Sequence, residues 1–188
     1  MQLNFQPIWI DRLINSLVSD LQSTIVERQI TLTVGDMTGI GVINYGDPDR
    51  LLQLFRNLLT NAIKYTPDGG KVHACGKASE QAIEIMIQDT GIGIDAGDQA
   101  AIFEKFGQVG NPSLHSSGRT KFKGGGAGLG LYIARGIAEA HGGAIWVESP
   151  GRDEIKLPGS TFHVVLPKRD VPPDKNMAAW FKTISQES

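Results

Sequence analysis

Residues 124–136 read GGGAGLGLYIARG, with six glycines, one arginine and no acid. Glycine loses more conformational freedom on ordering than any other residue, so it is kept where a backbone must turn with positive φ or closely approach a ligand. Glycine-rich loops are a common solution for approaching phosphate, and this one runs into what reads as the start of a helix. Two other clusters suit the same chemistry. Asn57, Asn61 and Lys64 lie at i, i+4 and i+7 and so share one face of a helix. An amide oxygen there can ligate a hard cation such as Mg²⁺, which takes phosphate oxygens as its other partners, and Lys64 adds positive charge. Asp89 closes an apolar alternating run and is followed by Thr-Gly-Ile-Gly-Ile. Its carboxylate can accept a hydrogen bond from an exocyclic amine while Gly91 and Gly93 let the backbone near a purine ring.

Taken singly, each cluster has a plainer reading. The asparagines could form a solvated helix face and Asp89 could be a turn or cap acid. Two familiar phosphate motifs also compete. A Walker loop needs a glycine followed by Lys-Ser or Lys-Thr, and none occurs. Gly91-Ile92-Gly93-Ile94-Asp95-Ala96 nominally fits the dinucleotide pattern GxGxxA. That pattern also wants an acid about 20 residues on to hold a ribose. Its place falls in a segment, Lys105 to Ala138, that contains no acid. Lys105, Arg119, Lys121, Lys123 and Arg135 give this segment five positive charges in a chain of net charge −2. It reads either as a solvated basic loop or as a mobile lid over an anion.

The elements that must position these residues are legible in outline. Leu13, Ile14, Leu17, Val18, Leu21 and Ile25 predict an amphipathic helix within Pro7–Arg28. Ile30–Val34 alternates as a strand, and Val42–Asn44 suggests another. Asp47-Pro48 is a helix start, an N-cap acid with proline at the first helical position. The helix it opens carries a core stripe of Leu51, Phe55, Leu58, Leu59, Ala62 and Ile63. It runs to Tyr65 and stops at the breakers Thr66-Pro67-Asp68-Gly69-Gly70. Lys71–Lys77 and Ala82–Asp89 predict a strand pair, Gln99–Phe106 a short helix, and Leu129–Ala140 a helix ended by His141-Gly142-Gly143. Ala144–Ser149 and Ser160–Leu166 predict a final strand pair. Helices that precede and interrupt a run of hairpin-like strands point to an α+β fold, a two-layer α/β sandwich with a mostly antiparallel sheet.

Composition bounds the function. The 188 residues are 40% hydrophobic and 20% charged, enough for one domain with a tail. A net charge of −2 gives no basic field for nucleic acid or an anionic membrane. The single Cys75 excludes an internal disulfide framework, and His73, His115, His141 and His163 show no metal-binding spacing. No apolar run approaches the roughly 20 residues needed to cross a bilayer. A soluble domain in a reducing compartment, the cytoplasm, is expected, with any membrane anchor elsewhere in a longer parent.

The ordered set NLLTNAIKYTP, DTGIGI, IFEKFGQ and GGGAGLGLYIA closely resembles the N, G1, F and G2 boxes of the ATP-binding catalytic domain of sensor histidine kinases. This is the Bergerat-type fold shared with gyrase-type ATPases and MutL-type repair proteins. GDPDRLLQLFRN, HGGAIWVES and GSTFHVVLP extend the resemblance over roughly residues 3 to 168.

The resemblance implies Mg²⁺ and ATP as cofactors and assigns the site. Asn61 is implied as the Mg²⁺ ligand, with Asn57 and Lys64 as its catalytic companions and Tyr65 lining the phosphate and ribose side. Asp89 is implied to take the adenine amino group, with Gly91 and Gly93 making room for the base and Ile94 beside them. Gly126, Gly128 and Gly130 are implied to wrap the phosphates, with Leu129 and Leu131 in the same segment. Phe103 and Phe106 match the F-box aromatics that anchor the lid, and Thr161 matches a late polar position near the adenine. At the first N-box position the ATPase branches carry a glutamate that activates water. Asn57 stands there instead, which favours phosphoryl transfer to a histidine over hydrolysis.

The sequence departs from the family pattern at Gln108, where many kinases have arginine, which leaves Lys105, Arg119, Lys121 or Lys123 to reach the phosphates. No histidine sits in a phosphoacceptor motif, and no dimerising hairpin is present. His141 reads as a structural helix-end residue. The expectation is therefore a monomeric catalytic domain from a longer kinase. It would act on a histidine-containing dimerisation domain and, downstream, a response regulator. A degenerate nucleotide-binding module and a stand-alone ATPase are the alternatives. Residues 1–170 make the domain. In the tail, 171–188, Met177, Trp180, Phe181 and Ile184 predict a short amphipathic helix that docks on it.

Overall fold

The computed structural model describes residues 1–37, 39–40, 44–105 and 128–173. The predicted first helix is divided. Pro7 belongs to strand β1 (Gln6–Ile8), and helix α1 (Ile10–Asp20) is followed across Leu21 by α2 (Gln22–Glu27). Ser19 and Asp20 are poorer helix formers than Leu17 before them, and the Asp20 carboxylate is turned out to the Arg56 guanidinium at 2.8 Å. The apolar stripe nonetheless persists through the break, since Ile10, Ile14, Leu17, Leu21 and Ile25 are all buried.

Strand β2 (Thr31–Val34) follows, then β3 (Asn44–Gly46), which pairs antiparallel with β1. Helix α3 (Pro48–Tyr65) begins as the sequence predicts, with the Asp47 carboxylate accepting the Arg50 N–H at 3.0 Å. Leu51, Leu54, Phe55, Leu58, Leu59, Ala62 and Ile63 make its buried face. The helix ends because Thr66, preceding a proline, is extended, and its hydroxyl closes the last turn on the Ala62 carbonyl at 2.7 Å. Arg28 anchors the breaker segment, pairing with Asp68 and donating to the Thr66 carbonyl at 2.7 Å.

Strands β4 (Lys71–Ala78), β5 (Ala82–Asp89), β6 (Ala144–Glu148) and β7 (Ser160–Pro167) join β2 in a five-stranded sheet of order β2-β4-β5-β7-β6. β2 runs parallel to β4, and the other three pairings are antiparallel. Alternation sends Val72, Ala74, Ile83, Ile85, Ile87, Val147, Phe162, Val164 and Leu166 inward onto the helices, where all are buried. Helix α4 (Gly130–Ala140) packs beside α3 and buries Ala134, Ile137 and Ala138. This is the expected two-layer sandwich of one mixed, mostly antiparallel sheet on a layer of helices.

The predicted helix over Gln99–Phe106 is, in its described part, a single 3₁₀ turn at Ala101–Phe103. Phe106, Gln108, Gly126 and the basic residues Arg119, Lys121 and Lys123 of the expected lid lie outside the described residues. So do Val42 and the tail positions Met177, Trp180, Phe181 and Ile184. No described helix is long and apolar enough to cross a membrane.

Candidate functional site

The core stripe of α3 fixes its opposite face, so Asn57, Asn61 and Lys64 come out half-buried at the helix–solvent boundary. Asn57 is tied to α4, its Nδ2 donating to the Gly130 carbonyl at 2.9 Å. The N-terminus of α4, with Gly128 at φ +66° just ahead of it, is thereby held against the polar face of α3. A helix N-terminus carries unpaired N–H groups and a partial positive charge, which suits it to phosphate. Leu129, Gly130 and Leu131 all lie at this junction and are half-buried. The Lys64 ammonium rests 4.9 Å from the Tyr65 ring centroid, so the two C-terminal members of this face are in contact.

Asp89 lies at the end of β5, where Ile83, Ile85 and Ile87 set the phase that points it inward, and it is 5% exposed. Burial pushes its carboxyl up to about 7, against the backbone N–H groups of Gly91 and Ser160, whose hydrogen bonds favour the ionised form. A carboxyl held this deep at the end of a central strand is well suited to a neutral amine donor.

Gly91 and Gly93 are each crowded by neighbouring backbone. A Cβ on Gly91 would lie 2.3 Å from the Tyr65 carbonyl oxygen. One on Gly93, at φ +73°, would lie 2.0 Å from the Gly151 carbonyl. Both are required by the packing of the turn on neighbouring backbone. Ile94 packs against the core, and Phe103 is buried edge-on to Phe162 at 6.2 Å. Lys105 is exposed and is the last described residue before position 128.

Thr161 does not join the site. It pairs with Gln88 on the outer sheet face, whereas Asp89 pairs with Ser160. The inward residue is Ser160, 6% exposed, whose N–H meets the Asp89 carboxylate. The signal for it is in the sequence, because Phe162, Val164 and Leu166 set the buried phase and Ser160 shares it.

His141 is 2% exposed and internal to the fold. Its Nε2 accepts the Asp47 N–H at 3.0 Å, so Nδ1 carries the proton and donates to the Ile137 carbonyl at 2.8 Å. Burial lowers its pKa and holds it neutral. Away from the face of α3, a groove of about 390 Å³ between α4 and edge strand β6 is lined by Gln99, Phe103, Arg135 and Trp146 among others.

The buried acid at the end of a central strand, the amide-bearing face of α3 and the glycine-led N-terminus of α4 make up the candidate site. Solved structures share the architecture. A mycobacterial sensor histidine kinase, MprB, superposes with a TM-score of 0.70 over 89% of this chain and all of that one, at 27% identity. The catalytic domain of histidine kinase ThkA superposes at 0.71, over 89% of this chain and 99% of that one, with 24% identity.

The chain belongs to the histidine kinase-, DNA gyrase B- and HSP90-like ATPase family, whose sequence profile matches residues 46–170. Among curated relatives, the sensor histidine kinase RppB of Synechocystis sp. is 39% identical over 163 residues, 85% of this chain and 33% of that protein. The adaptive-response sensory kinase SasA of Synechococcus elongatus is 34% identical over 168 residues, 89% of this chain and 40% of that protein. The chain thus spans between a third and two fifths of the length of these two kinases.

Proposed function

We propose that this chain is the ATP-binding and catalytic domain of a histidine kinase acting in the cytoplasm. It would bind Mg·ATP and pass the γ-phosphate to a histidine on a separate dimerisation domain, from which a response regulator would take it. Membership of the kinase-type ATPase family supports the reading. The observation that carries it is Asp89, a nearly fully buried carboxyl whose two backbone hydrogen bonds fix it at the end of β5.

In this account Asp89 accepts from the exocyclic amine of adenine, and the Gly91–Ile94 turn with Ser160 forms the wall beside it. Tyr65 and Lys64 border the sugar and phosphates, and the N–H groups at the start of α4 hold phosphate oxygens. Asn61, whose side chain makes no hydrogen bond to a described residue, is the member of the α3 face available to hold Mg²⁺. Mg²⁺ bound there supplies neutralisation of phosphate charge. A neutral imidazole nitrogen attacks the γ-phosphorus, the bond to the β–γ bridging oxygen breaks, ADP leaves, and the imidazole releases its N–H proton to solvent. Little covalent work falls to the protein, which acts by positioning and charge compensation. Asn57 favours transfer over hydrolysis, since an amide cannot take a proton from water and this one is engaged with Gly130.

The test is to mix the chain with the dimerisation hairpin of its own parent kinase, Mg²⁺ and γ-labelled ATP. Label should reach the hairpin histidine, with little free phosphate. Phosphate release by the chain alone at a comparable rate would support a hydrolase instead.

A further inference from the structure

The turn Gly91–Asp95 is held by a strap, residues 149–159, that connects β6 to β7. The Gly91 carbonyl accepts the Gly159 N–H at 2.9 Å, and the Ile92 carbonyl accepts the Asp153 N–H at 2.8 Å. The Asp95 carboxylate accepts the Arg152 N–H at 2.9 Å. A side-chain link is added by Ser149. Its hydroxyl oxygen accepts the Ile94 N–H at 2.9 Å while its proton goes to the Gly159 carbonyl at 2.8 Å. One side chain therefore joins the middle of the turn to the far root of the strap, immediately before Ser160. Gln99 closes the arrangement from the other side, its Nε2 reaching the Ile94 carbonyl at 3.3 Å and the Ser149 carbonyl at 3.0 Å. The absence of a Cβ at Gly93 lets the strap carbonyl of Gly151 come into contact with the turn.

We infer that Ser149 is a positioning residue for the nucleotide base. Through the Ile94 N–H on one side and the Gly159 carbonyl on the other, it fixes the Gly91–Ile94 wall relative to Asp89. This role rests on the nucleotide-binding reading above. The geometry demands a group that both donates and accepts at one atom, which a hydroxyl provides and a methyl does not. Without it the Ile94 N–H and the Gly159 carbonyl lose their partner together. The turn would then sample positions in which the wall and the acid no longer face the base at once. Gln99 supports the same turn, with the smaller effect expected of a half-buried amide.

The experiment compares the parent chain with Ser149→Ala, Ser149→Thr and Gln99→Ala by ADP titration, amide hydrogen exchange of residues 91–95, and thermal melting. Ser149→Ala should weaken ADP binding about ten-fold, as loss of a part-buried two-way hydrogen bond implies. Exchange at Ile94 should quicken by about ten-fold with the melting temperature lowered by no more than about 4 °C. Ser149→Thr should recover both, and Gln99→Ala should shift both in the same direction. ADP affinity unchanged in Ser149→Ala, or lowered with Ile94 exchange unchanged, or not recovered by Ser149→Thr, would overturn the inference. If Ser149→Ala does not fold, Gln99→Ala decides, and parental affinity in that variant overturns it. A parent that binds no ADP, while Ile94 exchange still responds to Ser149, marks the failure of the nucleotide reading instead. In that case this role falls with it.

Discussion

Asn57 on α3 donates its side-chain N–H to the carbonyl of Gly130, the first residue of α4, at 2.9 Å. The two helices that carry the amide face and the glycine loop are thus bolted together at the point where phosphate would bind. Asn57→Ala should remove about 1 kcal/mol and lower the melting temperature by about 3 °C. Asn57→Asp should cost more, since a carboxylate would face the carbonyl oxygen with no donor. Thermal melts ordered parent, alanine, aspartate check this, and an aspartate variant as stable as the parent would contradict it.

Asp89 makes stability depend on pH in a defined direction. Its folded pKa of about 7 lies above the ordinary carboxyl value of 3.8. The unfolded chain therefore releases this proton first as pH rises. The contribution to stability is full below about pH 4 and is lost as pH rises through 7. Asp89→Asn cannot titrate, so its stability relative to the parent should improve between pH 4 and 7, by at most about 1.4 kcal/mol for each pH unit crossed. Urea unfolding across that range measures it, and a pH-independent difference would contradict the buried acid.

Asn61 separates metal from nucleotide. Asn61→Ala should abolish the part of ATP-analogue affinity that depends on Mg²⁺ and leave the Mg²⁺-free affinity within about two-fold. Titrations with and without the metal check it. A variant that keeps its full Mg²⁺ enhancement would move the ligand elsewhere.

Arg28 tests the anchoring of the segment after Tyr65. Its guanidinium is buried and serves Asp68 and the Thr66 carbonyl, while its own carbonyl accepts the Gly69 N–H at 3.2 Å. Arg28→Ala should cost about 2 kcal/mol, because the Thr66 carbonyl loses its donor in a dry site. Denaturant unfolding reads the loss.

Much of the fold is legible in the sequence where a local rule decides. Asp47-Pro48 and Thr66-Pro67 bound α3 because capping and proline geometry act within a few residues. Ala82–Asp89 is legible as a strand to the residue, since its alternation is regular. The break at Leu21 is hidden because the apolar stripe continues across it. Motif position alone selects Thr161 over Ser160, because it ignores strand phase, and a shift of one residue changes the sheet face. In the sequence Gly91 and Gly93 read as serving the ligand. Their crowding by Tyr65 and Gly151 depends on chain segments far away in sequence. Ser149 is hidden for the same reason, since its partner Ile94 is 55 residues distant.

The central claim is that Asp89 is the acid that recognises an adenine nucleotide. Calorimetric titration of a non-hydrolysable ATP analogue, with Mg²⁺, into the parent and into Asp89→Asn tests it most directly. Micromolar-range binding by the parent that falls at least about ten-fold in a folded Asp89→Asn is the predicted result, as expected for a lost buried hydrogen bond to a charged acceptor. Equal affinity in the two proteins, or none in the parent, would contradict it.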